Sequence, residues 1–404
     1  MMRTDQKLLA AVCVLGPALV SLIPMAAAPT LPALASEMSR SGDGQFYAQL
    51  VMTVPAIALM LFSPVSGLFI EKYGVRRVLL ASLLTYAISG FAVFFTEEHV
   101  HIIALRLLLG VAGGGVLTAC LTLIGDQFKG GSRERLLGYA TALASIFAAL
   151  AMVFGGVLVD LWGWKAPFSL YLMGLPVFVA AWRCAGENGG RLSDNGVAEP
   201  AVDDPNHSHL PLLSLWPYYL MLLLLTVGMF SPSIQGPFAL ESRGLSSASD
   251  RGMILGLTSV MAFFSASAYG RLRDRLSAES ILVIDFLCMG IGFLTFSQST
   301  TIESMAFGCA IIGVGAGMSE PAIASIVIKK TPVYLHGLAM GLIVSALNGG
   351  QFSNPLLMDP LRHWIEIDGA FMVLALTFIT IGAARIFSSR VRSSEIGKYS
   401  PERY

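Results

Sequence analysis

Charged residues are scarce in this chain. Asp, Glu, Lys and Arg make up 13% of its 404 residues, whereas soluble proteins average about 25%. The 26 basic and 26 acidic residues balance, so net charge indicates no nucleic-acid partner. Hydrophobic residues reach 55%, and many apolar runs approach the ~20 residues that a helix needs to cross a bilayer. Because unpaired backbone groups are costly in lipid, these runs are predicted to be helical, which gives an all-α polytopic membrane protein.

The signatures of several catalytic and cofactor sites are missing. The chain has no His-Glu-x-x-His, no Gly-x-Ser-x-Gly and no Gly-x-x-x-x-Gly-Lys-Ser/Thr, so proteolytic, esterase and nucleotide-driven functions lack the residues they need. The five cysteines are far apart and form no Cys-x-x-Cys pair, as expected of small buried side chains. Two acids and two histidines at residues 97–101 are expected to be solvated. The sequence thus predicts no enzyme, no cofactor and no metal site.

Twelve apolar segments are predicted to be helices, in two groups of six. Residues 185–212 separate the groups and are rich in Gly, Asn, Asp, Pro and His without apolar periodicity, which is typical of a flexible linker. The predicted domains are a six-helix bundle at 1–184, this cytoplasmic linker, and a second bundle at 213–404 with a short cytoplasmic tail. The predicted helices are 8–35, 44–70, 75–95, 101–125, 134–160, 166–184, 213–235, 249–270, 278–297, 303–328, 334–355 and 366–387.

Basic residues are concentrated in alternate connections. With the N-terminus in the cytoplasm, segments rich in Lys and Arg such as 72–77, 129–135 and 271–275 lie on the cytoplasmic side, as the positive-inside rule requires. An even number of helices then puts both termini there. We expect a multi-pass protein of the cell inner membrane, surrounded by lipid and present as a monomer.

An internal repeat relates the two halves at an offset of 203 residues. It pairs Gly67 with Gly270 and Pro29 with Pro232. Parallel six-helix repeats are typical of transporters whose substrate site lies at the membrane midplane between the halves. A duplicated scaffold that transports nothing is the alternative interpretation. The offset also pairs Lys72 with Arg275, Gly110 with Gly313, Gly114 with Gly317 and Phe168 with Phe371.

A short charged loop marks each copy of the repeat, GLFIEKYGVRR at residues 67–77 and GRLRDRLS at 270–277. The first resembles the signature loop Gly-x-x-x-Asp-Arg-x-Gly-x-Arg-Arg of the major facilitator superfamily. Glu71 stands at the usual Asp position, and Ser277 stands where the second copy would have Gly. The resemblance implies a secondary transporter with twelve helices in two pseudo-symmetric bundles.

The resemblance also implies a conformational latch. In that family, the acid and an arginine of the loop pair with an acid at the inner end of the fourth helix. The corresponding residues here are Glu71, Arg77 and Asp126, which we expect to hold the outward-facing state. Alternatively, the loop charges serve topology alone. The other loop residues assigned to this latch are Gly67, Gly74, Arg76, Gly270, Asp274 and Arg275.

The fourth and fifth helices carry further resemblances. Arg106 matches the arginine of an Arg-x-x-Gln-Gly element that the family links to proton coupling, with Leu109 at the Gln position; the alternative is an arginine that snorkels to the outer surface. Gly155-Gly156 and the following stretch to Phe168 resemble the drug:proton antiporter branch, although the Gly-Pro pair of its fifth-helix motif is missing. These features favour export.

Glu320 is the most informative acidic residue, because it lies within the tenth helix beside Pro321 and far from any base. It is interpreted as a proton carrier or a partner for a cationic substrate, and otherwise as a structural acid. Asp285 in the ninth helix is interpreted as a structural acid that pairs with a neighbouring helix. Cavity-lining candidates are Gln49, Gln235, Asn348 and Gln351, and helix-packing candidates are Gly110, Gly114, Gly155, Gly156, Gly313 and Gly317.

The function favoured by these features is proton-coupled efflux of an amphipathic compound by alternating access. Its partners would be a small-molecule substrate and protons. The alternative is proton-coupled or facilitated uptake of a small metabolite. A membrane sensor or scaffold that transports nothing is less favoured, because the chain offers only the linker and a short tail for signalling.

Overall fold

A computed structural model describes residues 4–38, 43–128, 131–184, 215–332 and 335–398, which are almost entirely helical. The predicted linker, 185–212, lies outside the described residues. The first half contains α1 (Thr4–Met25), α2 (Leu31–Met38), α3 (Gly44–Tyr73), α4 (Val75–Ala92), α5 (His99–Gln127), α6 (Gly131–Trp162), a 3-10 segment (Ala166–Met173) and α7 (Gly174–Cys184). The second half contains α8 (Trp216–Ile234), α9 (Gly236–Ser242), α10 (Ala248–Arg273), α11 (Ala278–Ser297), α12 (Ile302–Lys330) and α13 (His336–Lys398).

Eleven segments of the described residues are long and apolar enough to cross a membrane. The last of them, Leu338–Phe387, has 50 residues, which is far more than the ~20 that one crossing needs. Within it, α13 is interrupted at Ile365 and Glu366, where Glu366 adopts a φ of 62°. This segment therefore makes two crossings, and the predicted all-α fold with twelve spanning helices is confirmed.

The repeat is visible in the helix boundaries. Helices α5 and α12 begin and end 203 residues apart, and α4 and α11 begin 203 residues apart. Each half also opens with an interrupted crossing: α1 and α2 flank Pro29, and α8 gives way to α9 just after Pro232. The two halves are thus built on one plan, as the predicted pseudo-symmetry requires.

Glycines set the closest helix approaches within each half. A Cβ added at Gly110 of α5 would meet the Pro55 carbonyl oxygen and the Ala58 side chain of α3. A Cβ at Gly313 of α12 would likewise meet the Thr258 carbonyl oxygen of α10. Small residues allow backbones in membranes to approach this closely. Gly114 and Gly317 make equivalent approaches to α3 and α10 about one turn further along.

The bundle has two chemically different ends. The end that we call the basic end carries residues 76–77, 271–275 and 329–330. The other end, which we call the opposite end, carries the connections 96–98, 163–165 and 243–247.

The two halves meet mainly through α6 with α10 and α3 with α13. Gly156 of α6 lies against the backbone of Ala248 and Ser249, and Gly252 of α10 lies against the Met152 carbonyl oxygen. All of these residues belong to the parts of α6 and α10 that are nearer the opposite end. The halves are therefore tightly packed at that end.

Toward the basic end the same helices expose more side chains. α3 is largely buried from Ala48 to Leu59 but exposes Leu61 and Leu68 further on. In α10 the side chain of Phe264 is exposed, and α6 exposes Tyr139 near its start. The exposed surface of α3, α6 and α10 thus increases from the middle of the bundle toward the basic end.

Gly110 provides a test of this packing. We expect Gly110→Leu to lower stability by about 1–3 kcal/mol, because the added side chain would push α3 and α5 apart. The thermal unfolding midpoint of the detergent-purified protein would measure this. Gly138→Leu is the matched control, since Gly138 is exposed and its added Cβ would meet nothing within 4 Å. An equal loss in both variants would contradict the close approach.

Candidate functional site

Arg106 is fully buried and serves as a hydrogen-bond centre for the first half. Its Nε donates to the Val51 carbonyl oxygen of α3, its Nη2 to the Ile23 carbonyl oxygen of α1, and its Nη1 to the Tyr171 hydroxyl, each at 2.7 Å. The guanidinium also lies over the rings of Phe168 and Tyr171. One side chain of α5 thus links α1, α3 and the 3-10 segment.

Prolines explain why backbone carbonyls are available to Arg106. Pro55 stands four residues after Val51 and has no N–H, so the Val51 carbonyl oxygen has no helical donor. The Ile23 carbonyl oxygen is released by the break after Pro24, where the Ala27 N–H donates to Pro24 instead. Arg106 therefore satisfies the Val51 carbonyl oxygen in an apolar environment, and it shares the Ile23 carbonyl oxygen with the Tyr171 hydroxyl, which also donates to it at 2.8 Å.

The predicted role of Arg106 in coupling or substrate binding stays a prediction. Its donors at Nε, Nη1 and Nη2 all have protein acceptors, and it is inaccessible in this conformation. Its contacts are with carbonyl oxygens, a hydroxyl and aromatic rings, and it makes no ion pair with a carboxylate among the described residues. The arrangement is one that holds helices together.

Gln49 and Gln235 form a reciprocal amide pair across the two halves. Gln49 Nε2 donates to Gln235 Oε1 at 3.1 Å, and Gln235 Nε2 donates to Gln49 Oε1 at 2.9 Å. Both side chains are buried. Gln235 also donates to Asn354 Oδ1, and Asn354 donates to the hydroxyl of Ser231. The structure places these two cavity candidates in the contact between the halves.

The other two cavity candidates lie on α13. Asn348 Nδ2 donates to the Val344 carbonyl oxygen of its own helix and is partly exposed, whereas Gln351 is buried. Neither joins the amide network through a hydrogen bond among the described residues. The sequence did not distinguish Asn348 and Gln351 from Gln49, because the partner of Gln49, Gln235, lies 186 positions away in the chain.

Glu320 lies on the face of α12 that also carries Gly313 and Gly317, one turn beyond Gly317. Gly317 packs on the backbone of Ala262 in α10, but the Glu320 side chain is exposed. It makes no hydrogen bond or ion pair with any described residue. Its role as a proton carrier or as a partner for a cationic substrate stays a prediction.

Asp285 differs from the sequence interpretation. It is fully buried in α11, and neither carboxyl oxygen has a hydrogen-bond partner among the described residues. A Cβ added at Gly315 of α12 would meet the Asp285 backbone, so α12 covers this position closely. The expected pairing with a neighbouring helix is absent from the described part of the chain, and the residue is a second intramembrane carboxyl group without a donor.

The latch residues are not in contact here. Glu71, Arg77 and Asp126 are exposed at the basic end, and the described residues supply none of them with an ion pair or side-chain hydrogen bond. Gly74 provides the turn between α3 and α4 with a φ of 85°. The remaining residues assigned to the latch, Gly67, Arg76, Gly270, Asp274 and Arg275, lie at this end too, and a Cβ at Gly67 or Gly270 would meet nothing within 4 Å.

The glycine pair of α6 lies at the contact with other segments. Gly155 lies against Pro29 and the Ala26 carbonyl oxygen, whereas Gly156 lies against the start of α10 in the other half. Just beyond them, the Asp160 carboxylate accepts hydrogen bonds from the backbone N–H groups of Ala248 and Ser249. Sequence reasoning did not assign Asp160 a role.

A sequence model described as Major Facilitator Superfamily matches residues 13–355. The chain belongs to this superfamily. Its members are transporters, which move small-molecule substrates, often together with protons, so the function of this multi-pass membrane protein is transport.

Curated relatives of this facilitator protein include several kinds of transporter. The tetracycline resistance protein, class B, of Escherichia coli is 22% identical over 87% of this chain and 88% of its own length. The multi-drug resistance efflux pump PmrA of Streptococcus pneumoniae is 27% identical over 71% and 72%. The probable nitrate transporter NarT of Staphylococcus haemolyticus is 24% identical over 88% and 90%.

Arg106→Lys tests whether this arginine holds the first half of the facilitator fold together. A lysine keeps the charge but cannot reach three separate acceptors, so we expect a loss of roughly 3 kcal/mol in stability. Tyr171→Phe, which removes one acceptor, should cost less. The measurement is the thermal unfolding midpoint, with Lys165→Gln as a control because its partner Glu97 is exposed. A stable Arg106→Lys protein without transport would favour the coupling role instead.

Proposed function

We propose that this chain exports small amphipathic compounds in exchange for protons, by alternating access at the inner membrane of a cell. The basic end faces the cytoplasm together with both termini, in agreement with the positive-inside rule. The structure then corresponds to a conformation closed toward the outside and open toward the cytoplasm. Two of the relatives are named for drug resistance or efflux, which supports export.

The observation that carries this proposal is the exposed, unpaired carboxyl group of Glu320. It lies within α12, nearer the basic end than Gly317, which packs on α10, and we infer that it borders the space between the halves. A carboxyl group in an apolar surrounding binds and releases protons readily. If a proton and the substrate compete for it, release of one permits binding of the other, which is the requirement for exchange.

The rest of the site supports movement of two rigid halves. Arg106 links α1, α3 and α5 by hydrogen bonds within the first half. The amide pair of Gln49 and Gln235 closes the contact between the halves at the opposite end. Opening that end would expose both amides to the pathway, where polar groups of a substrate could replace their mutual hydrogen bonds.

A second candidate function is uptake of a small metabolite or anion. The similarity to a probable nitrate transporter and the missing Gly-Pro pair in α6 favour it. The two functions differ in the direction of substrate movement relative to the proton gradient.

Glu320→Gln should reduce proton-coupled transport at least about tenfold, because an amide cannot bind and release a proton in this pH range. The measurement is proton flux in proteoliposomes with a pH-sensitive dye, with cationic, anionic and neutral amphiphiles, nitrate, sugars and organic acids as substrates. Glu303→Gln is the matched control, since Glu303 lies in the exposed first turn of the same helix.

Full activity of Glu320→Gln with an unchanged pH profile would reject the proton role of this residue. A flux seen only with nitrate or metabolites would favour uptake.

Asp126→Asn tests the latch of Glu71, Arg77 and Asp126. We infer that these residues, which are apart in this conformation, pair when the basic end closes. Loss of the charge should then favour the present conformation and slow labelling of a cysteine at Ser233, in the contact between the halves, about three- to tenfold. Asp368→Asn, at the opposite end, serves as the control. Equal labelling rates in the Asp126 variant and the parent would count against the latch.

A further inference from the structure

The end of α6 and the corresponding point of α13 each make polar contacts with the other half. Asp160 accepts from the N–H groups of Ala248 at 2.8 Å and Ser249 at 2.9 Å, and from the Ser247 hydroxyl at 3.1 Å. We call this contact the first clasp. It joins the end of a first-half helix to the start of α10, and its carboxylate lies at the helix N-terminus, where backbone N–H groups favour negative charge.

A second set of contacts, the second clasp, joins α13 to the start of α3. Asp43 uses Oδ1 to cap α3, where Gln45 and Phe46 donate their N–H groups. Its Oδ2 lies 3.4 Å from Arg362 Nη2 and 3.2 Å from His363 Nε2. The same Arg362 also pairs with Asp359. The second clasp therefore consists of Asp43, Asp359, Arg362 and His363.

The two clasps occupy equivalent places in the repeat. Asp160 and His363 are separated by the repeat offset of 203 residues, and the first residues of α3 and α10 correspond closely under the same offset. In the first clasp the end of α6 meets the start of α10, and in the second clasp the equivalent point of α13 meets the start of α3. They are the same contact made twice, with different chemistry.

Only the second clasp contains a group that ordinarily changes charge between pH 5 and 8, which is an imidazole. His363 Nδ1 lies 2.9 Å from the Asp359 carbonyl oxygen, and Nε2 lies 3.2 Å from the Asp43 carboxylate. Both neighbours can only accept hydrogen bonds, so both ring nitrogens must carry a proton for both contacts to form. A neutral ring would place a lone pair against one of these oxygens.

Solvent and charge at the second clasp are consistent with this requirement. A cavity of about 660 Å³ opens onto it, lined among others by Asp43, Arg362, His363 and Glu366. The charged groups that face His363 are thus three carboxylates, counting Asp359, and one guanidinium.

We propose that the two clasps hold the opposite end closed, and that protonation of His363 strengthens the second clasp. Acid on that side of the membrane then favours the conformation open at the basic end, whereas the first clasp holds at any pH near neutrality. This inference rests on the proposed alternation between two conformations. It adds the residues that close one side and the signal to which that closure responds.

A cysteine at Ser233 reports opening of the contact, because Ser233 is buried and its hydroxyl meets the Met25 sulfur across the halves. The labelling rate with a bulky maleimide would be measured on the full-length protein in nanodiscs, where both faces are accessible. The protein without this cysteine gives the background from the five native thiols. Rates are expressed relative to the parent at each pH, so that the pH dependence of the maleimide reaction cancels.

His363→Gln should raise the relative rate about five- to tenfold near pH 5.5 and less than about twofold near pH 8, because only the imidazolium makes both contacts. Asp160→Ala should raise the rate about three- to tenfold at both values. The combined variant should label faster than either single variant. The transport assay is not involved, so these rates and the proposed exchange can fail separately.

Two control variants remove comparable groups that act within one half at the same end. His101→Gln removes a histidine that pairs with Glu98, and Asp368→Ala removes a carboxylate that pairs with Arg243. Neither should change the labelling rate. A pH-independent effect of His363→Gln would overturn the titration, and parental rates in Asp160→Ala and the combined variant would overturn the clasps.

Discussion

The constraint on which this structure depends is that polar groups inside a bilayer have only each other as partners. Arg106 shows how the first half meets it: prolines interrupt the hydrogen bonding of α1 and α3, and the guanidinium takes up the carbonyl oxygens they release. The free energy lost by burying the arginine and the free energy lost by interrupting α1 and α3 are thus both reduced by the same hydrogen bonds. The result is a set of helices that are hydrogen-bonded to one another at one point.

The contact between the halves obeys the same constraint in a reversible form. Gln49 and Gln235 satisfy each other, and Asp160 satisfies backbone donors of α10, so the closed end leaves few polar groups without partners. Water can also form hydrogen bonds with each of these groups. In the proposed alternation, separation of the halves would exchange one set of hydrogen-bond partners for another, which would keep the two conformations close in free energy.

Much of the fold follows from composition and periodicity, because long apolar runs in lipid have no alternative to helix. The repeat and the charged loop at 67–77 then identify the plan of the halves. The partners of individual residues did not follow. Arg106 binds main-chain oxygens that no motif encodes, and Asp43 meets His363 from 320 positions away. Such contacts depend on how the helices tilt and on which end of the bundle is closed. A local sequence pattern determines neither of these.

The interruption of α13 has a consequence for biogenesis. Only Ile365 and Glu366 leave the helical conformation between the last two crossings, so no hydrophilic loop of useful length is available to be translocated on its own. The turn lies near the middle of this 50-residue segment, so the two crossings follow each other directly in the chain. We therefore expect the two crossings to enter the bilayer together as a helical hairpin, with the left-handed residue Glu366 at its tip.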